Sequence, residues 1–165
     1  MKTKNLVLSS VLLGIGTLLH FITPPIFFGI KPDFLLVMTF ICIFVSKDLR
    51  STLIVSLAAG FIAALTTNFP MGQLPNILDK LATGFIVYYI YKFMNFDMTA
   101  FKIALISGLA TFISGIIFLF TGLLIINQMD MFVTSLPVVL ITMPVNAIIA
   151  SIIYKALLVS MRKVK

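Results

Sequence analysis

Residues 102–126 read KIALISGLATFISGIIFLFTGLLII, and after Lys102 this run carries no charged side chain. A helix rises about 1.5 Å per residue and the hydrocarbon core of a bilayer is ~30 Å thick, so the run is long enough to cross a membrane. Similar runs lie on both sides of it. Read between charged residues and Pro, Gly or Asn breaks, they predict helices over 5–23, 32–46, 51–68, 75–92, 102–126 and 131–158. The expected fold is an all-α membrane protein, a compact bundle of six transmembrane helices forming one domain over 1–165. The second run is short for a full crossing, and the stretch before it, from Thr23 to Gly29, could dip into the interface. In the last run Pro137 and Pro144 are expected to introduce kinks.

Composition supports the same class. Of 165 residues, 61% are hydrophobic and 10% charged, with a mean hydropathy of +1.18, whereas a soluble domain carries ~25% charged residues. A soluble enzyme, a disordered tail and a disulfide scaffold are excluded, because so little polar surface could not cover so much apolar area. The single cysteine, Cys42, lies in an apolar run and permits no intramolecular disulfide. Met1-Lys2-Thr3-Lys4 followed by an apolar run resembles a secretory leader, but no small-x-small cleavage site follows Phe21 to Pro25, so it reads as an uncleaved first helix.

Six spans place both termini on one side. That side collects Lys2, Lys4, Lys47, Arg50, Lys92, Lys102, Lys155, Arg162, Lys163 and Lys165, and the other holds Lys31 and Lys80. The positive-inside rule then predicts cytoplasmic termini, with the net charge of +7 facing the anionic inner leaflet. Membrane lipid accounts for the basic balance and no nucleic-acid partner is called for. A five-span arrangement would require Lys2 and Lys4 to be translocated.

The polar residues are few. Small residues recur at helix-packing spacing: Ser10 and Gly14, then Ser56, Gly60 and Ala64, then Gly108, Gly115 and Gly122 with Thr111 beside them. Such stripes serve packing inside the bundle, or one of them, Ser10/Gly14, faces a partner subunit. The outer side has its densest polar cluster between Phe69 and Lys80. On a helix starting near Pro75, residues Asn76, Asp79, Lys80 and Thr83 share one face. A second charged pair, Lys31 and Asp33, stands at the outer start of the second span. An acid beside a base at a helix start suits a zwitterion, since a carboxylate is met by Lys or free helix amides and an ammonium by Asp. Tryptamine and indole-propionate, each lacking one charge, are then expected to bind poorly. The plainer reading is that each pair neutralises itself at the interface, with its lysine snorkelling. Phe27, Phe28, Phe34 and Phe69 lie between the pairs and could enclose an aromatic side chain. Asn146, in mid-span beside Pro144, and His20, near the outer end of the first span, are candidates to line the site or to hydrogen-bond between helices.

No GxxxxGK[ST] loop, HExxH or partnered nucleophile occurs, so the chain is not expected to be an enzyme, and no metal or cofactor is implied. A solute carrier built this way lacks an engine of its own, which points to a partner.

Gly29-Ile30-Lys31-Pro32-Asp33-Phe34, the segment from Thr66-Thr67-Asn68-Phe69-Pro70 to Asp79-Lys80, and the first helix from Leu12 to His20 resemble the bacterial TrpP-type tryptophan transport proteins over essentially the whole chain. That family is similar to the substrate-binding S components of energy-coupling factor transporters. The resemblance implies a multi-pass subunit of the bacterial plasma membrane that captures L-tryptophan, with uptake driven by a transmembrane coupling subunit and an ATPase pair. It also implies that Ser10 and Gly14 meet the coupling subunit, Ser10 standing where alanine is more usual. Lys80 or Lys31, with the helix-four N-terminus, would take the carboxylate, Asp79 or Asp33 the amine, Phe27, Phe28, Phe34 or Phe69 the indole ring, and Asn146 or His20 its N–H. The chain contains no tryptophan, which accords with a protein needed when tryptophan is scarce. The competing expectations are a pore or structural membrane protein without a small ligand, and a self-sufficient secondary amino-acid carrier.

Overall fold

A computed structural model describes residues 3–24, 32–96 and 98–163. The described residues form six α-helices and one 3₁₀ turn, with no strand: α1 (Thr3–Ile22), α2 (Phe34–Ser46), α3 (Leu49–Thr66), α4 (Gln73–Phe93), α5 (Ala100–Ile125) and α6 (Phe132–Lys163), the 3₁₀ turn at Met129–Met131 leading into α6. Several starts are written in local chemistry. Asp33 accepts a hydrogen bond from the Leu36 amide at 2.9 Å, Asp48 from the Ser51 amide at 3.0 Å and Thr99 from the Lys102 amide at 3.3 Å, each satisfying an amide that the first helical turn leaves unpaired. The Ser51 amide together with the Ser51 hydroxyl, which donates to the same Asp48 oxygen at 3.0 Å, holds the Asp48 carboxyl below the usual carboxylate range. Helix α4 begins at Gln73, two residues ahead of Pro75, which occupies a first-turn position where its missing N–H costs nothing. Helix α6 continues through Pro137 and Pro144 to Lys163, beyond the expected 158, because no Gly or Pro follows Pro144 to stop it.

Four stretches are long and apolar enough to cross a membrane: Asn5–Ile22, Leu49–Thr66, Ala100–Ile125 and Met129–Ser160. The remaining two helices differ for separate reasons. Helix α4 has the length, but it carries the polar stripe Asn76, Asp79, Lys80 and Thr83, all buried within the bundle. Helix α2 has 13 residues, about 20 Å at 1.5 Å per residue, and it is the element most enclosed by the others. It packs against every other helix. Val37, Phe40, Ile41 and Ile43 have no exposed surface, and Cys42 and Phe44 keep 1% each. A helix that is apolar on all sides belongs in a core, and one surrounded by protein has no lipid thickness to match.

Glycines set the helix spacing. A Cβ on Gly60 would stand 3.0 Å from the Ile77 Cα, and one on Gly84 would overlap the Ser56 hydroxyl, so α3 and α4 meet nearly backbone to backbone. Gly108 and Gly115 face side chains of α6 instead: a Cβ on Gly115 would overlap Val139, and one on Gly108 would stand in ordinary contact with Ala147 and Met143. On α1 the two glycines part company. A Cβ on Gly16 would lie 2.8 Å from Met38 Cγ and 3.1 Å from the Phe34 carbonyl oxygen, whereas one on Gly14 would meet nothing within 4 Å. Gly16→Leu is therefore expected to lower stability by about 1–3 kcal/mol through overpacking against α2. Gly14→Leu is expected to leave the thermal unfolding midpoint of the purified protein unchanged, so a comparison of the two midpoints checks the assignment of faces.

The helices alternate in direction. One end of the bundle gathers the C-termini of α1, α3 and α5 with the N-termini of α2, α4 and α6. The opposite end gathers Lys47, Arg50, Lys92 and Lys102. At that basic end Lys47 caps α2 in the left-handed region (φ 55°), donates to the Phe96 carbonyl oxygen at 3.2 Å and stands 5.9 Å above the Tyr91 ring. The site described next lies at the other end.

Candidate functional site

Three charged side chains meet where α2 and α4 begin. Lys80 Nζ donates to Asp33 Oδ2 at 3.2 Å and to Asp79 Oδ2 at 3.0 Å, so one ammonium is shared by two carboxylates. The second oxygen of Asp79 accepts from the Ser114 hydroxyl at 2.5 Å, and the second oxygen of Asp33 takes the Leu36 amide. His20 Nδ1, from α1, stands 4.0 Å from Asp33 Oδ1. Burial separates the members: Asp79 and Lys80 side chains are 1% and 4% exposed, Asp33 and His20 28% and 26%. A buried ion group of this kind is tolerated because every charge has a close partner.

Asn146 extends the network to α6. Its side-chain oxygen accepts the Asp33 amide at 3.2 Å and its nitrogen donates to Thr111 Oγ1 at 3.4 Å, while Thr111 donates to the Ser107 carbonyl oxygen at 2.7 Å. With no exposed surface, Asn146 acts as a clamp that ties the start of α2 to α5 and α6. Replacing it with leucine would strand the Asp33 amide and remove the bond that orients this carboxylate.

Two cavities adjoin the cluster, of about 580 and 430 Å³, within the range of about 300–1,000 Å³ typical of small-molecule sites. Both are lined by His20, Asp33, Asn76 and Phe118, which stand at their junction. The larger lies among the ends of α1, α3 and α4, with Thr66, Thr67 and Asn68 in its wall. The smaller lies among α4, α5 and α6, where Phe69, Phe118, Leu119, Val138 and Val139 make it mainly apolar and Lys80, Asp79 and Thr142 add polar groups. Phe69 reaches it from a tight turn. Thr67 Oγ1 accepts the Phe69 amide at 3.2 Å, the Phe69 carbonyl accepts the Gly72 amide at 3.0 Å, and Met71 takes φ 55°. The Phe69 ring packs edge-on to Phe118 at 5.3 Å and lies over Gly122, where a Cβ would stand 2.9 Å from ring atom Cε1. The third glycine of the α5 stripe thus makes room for a ring of the site, whereas the first two serve helix packing.

The residues expected from sequence divide clearly. The structure brings together His20, Asp33, Phe69, Asn76, Asp79, Lys80 and Asn146. Phe34 lines neither cavity and its carbonyl oxygen lies against Gly16. Phe27, Phe28 and Lys31 lie outside the described residues. Lys80 is buried in the bundle, so the snorkelling expected of a self-neutralising interface pair does not describe it. Thr111, Ser114 and Phe118 were missing from the sequence-based set. Their signal in the sequence is a polar and aromatic spacing of three and four along one face of α5, beside a glycine stripe of helix-packing spacing.

A helical membrane bundle with an enclosed charged cluster between an apolar and a polar cavity suits the class of small-solute membrane transport proteins. The chain matches the family model described as "Tryptophan transporter TrpP" over residues 2–162, and it belongs to this family. It is 40% identical over 167 residues to the "Probable tryptophan transport protein" of Clostridium acetobutylicum, covering 99% of this chain and 97% of that one. A protein of the same description from Bacillus subtilis is 38% identical over 127 residues, 77% and 74% of the two chains, and one from Clostridium perfringens is 31% identical over 173 residues, 98% and 95%. No solved structure matches. The family is one of transporters, not enzymes, and the protein is a multi-pass protein of the bacterial plasma membrane.

Proposed function

We propose that the protein captures L-tryptophan from outside the cell as the substrate-binding membrane subunit of an uptake system, with a separate coupling subunit and an ATPase pair supplying the energy. The observation that carries the reading is the Asp33–Lys80–Asp79 cluster at the junction of two cavities, the smaller of them mainly apolar. A charged amino-acid head belongs at that junction, and the wall of Phe69, Phe118, Val138 and Val139 accommodates an indole ring. Names of the relatives supply the substrate. The segregation of basic residues supports six spans, with both termini and the basic end cytoplasmic and the site facing outward. Short α2 crosses as part of the protein core.

Ser10 and Gly14 are both exposed on α1, in a stripe with Val7, Val11, Ile15 and Leu18. This face is the one we assign to the coupling subunit. Gly14→Leu is expected to abolish most uptake in cells while tryptophan binding to the isolated protein stays within about twofold, since the change separates backbones only at a partner contact. Equal loss of binding and uptake would place Gly14 inside the binding machinery.

The deciding experiment is titration of the purified protein with tryptophan, followed through the ligand's own fluorescence, which a chain without tryptophan leaves unobscured. Saturable binding with thermal stabilisation is expected, and its absence would favour a pore or structural protein. Uptake that persists without any coupling subunit or ATPase would favour a secondary carrier. Labelling of single cysteines at Lys4 and Lys163 in a Cys42-free variant tests the topology, and labelling from outside would reverse it.

A further inference from the structure

Resting on that reading, we infer that the site selects its ligand by the amine: Asp33 receives an ammonium group, no Lys or Arg among the described residues is left to answer the ligand's carboxylate, and indole-bearing alkylamines are therefore ligands beside the amino acid. This departs from the expectation that a lysine takes the carboxylate and that tryptamine binds poorly. Lys80 is the one Lys or Arg side chain, among the described residues, that lines either cavity. Both of its close contacts are carboxylates, and its side chain is 4% exposed. A ligand carboxylate brought to it would be the third anion around one ammonium.

Charge balance points the other way. Two carboxylates, Asp33 and Asp79, share the single charge of Lys80, so with both ionised and the neighbouring His20 neutral one negative charge is left over. Of the two carboxylates Asp33 is the accessible one, 28% exposed against 1%, and it stands where both cavities meet. An incoming ammonium there completes the balance and gains a charge-assisted hydrogen bond. The rest of the polar lining near that point is uncharged, with Thr67, Asn68 and Asn76 on one side and Thr142 on the other. Among the described residues a ligand carboxylate is left to His20, to neutral donors or to water.

The test is displacement of bound radiolabelled tryptophan from the purified full-length protein by tryptamine, tryptophan methyl ester and indole-3-propionate, so that partition into detergent does not count as binding. Tryptamine and the ester are expected to compete within about tenfold of tryptophan, and indole-propionate to be weaker by about a hundredfold, the scale of a lost charge-assisted bond. Asp33→Asn keeps an equally good helix cap. It is expected to lose about ten- to a hundredfold in affinity for tryptophan and tryptamine alike, while its unfolding midpoint falls less than that of Lys80→Met because Lys80 keeps Asp79. If tryptamine competes as poorly as indole-propionate, a cation does hold the carboxylate and the inference is overturned; recovery of equal affinities in Lys31→Met would then identify that cation. If tryptophan itself fails to bind, the assignment of the site to tryptophan falls, and this inference with it.

Discussion

Replacing Lys80 with methionine is expected to lower the stability of the protein by about 3–5 kcal/mol, the cost of removing one partner from a buried ion group. Two carboxylates would remain, with Asp79 almost wholly enclosed and Asp33 next to it, and the charge that draws them together would be gone. The Ser114 hydroxyl at Asp79 and the Leu36 amide at Asp33 are too little to offset this. Thermal unfolding in detergent, followed by circular dichroism, measures the effect. The double change Lys80→Met with Asp79→Asn is expected to recover more than half of the loss, because an amide can still bond Ser114 and Asp33 can be hydrated through the cavities. A single variant as stable as the parent would mean that the two aspartates are not both charged in the folded protein.

Tyr91→Ala is expected to cost a similar amount, about 3–5 kcal/mol, for a reason at the other end of α2. The Tyr91 side chain is fully buried. Its ring packs edge-on to Phe44 at 5.3 Å and to Phe96 at 5.0 Å, and its hydroxyl donates to the Phe44 carbonyl oxygen at 2.9 Å. That carbonyl belongs to the last turn of α2, where helical partners run out. Tyr154 adds a further edge contact to Phe44 at 6.2 Å, so an aromatic cluster closes the bundle beneath the site. Tyr91→Phe keeps the ring and is expected to cost about 1 kcal/mol, the usual net worth of one hydrogen bond. Asp33 lies at the opposite end of α2, about 20 Å away by helix length. Tryptophan affinity in Tyr91→Phe is therefore expected to match the parent, and an altered affinity would reveal coupling along α2.

The two variants probe the two ends of the shortest helix, and that helix shows where reading the sequence succeeds and where it stops. The apolar run Phe34–Ser46 was legible as a helix too short for an ordinary crossing. That it is sheathed by the other helices was not, because enclosure depends on which faces the neighbours present. The same holds for glycines. Gly14 and Gly16 look alike in sequence, yet one faces open space and the other Met38, and Gly122 accommodates an aromatic ring where Gly115 accommodates a helix.

Composition and periodicity alone determined the membrane class, the six helices and the shared face of Asn76, Asp79, Lys80 and Thr83, since these follow from apolar run length and the helical repeat. Sequence proximity paired Asp33 with Lys31 and Asp79 with Lys80. Tertiary structure decided that Asp33 reaches Lys80, 47 residues away, and that Asn146, 113 residues from Asp33, holds it there. The physical reason is that a charge inside a membrane protein must find its partner among whatever the packed helices bring close. Which helix ends share a level and a face is set by the packing of the whole bundle around α2, not by neighbours along the chain.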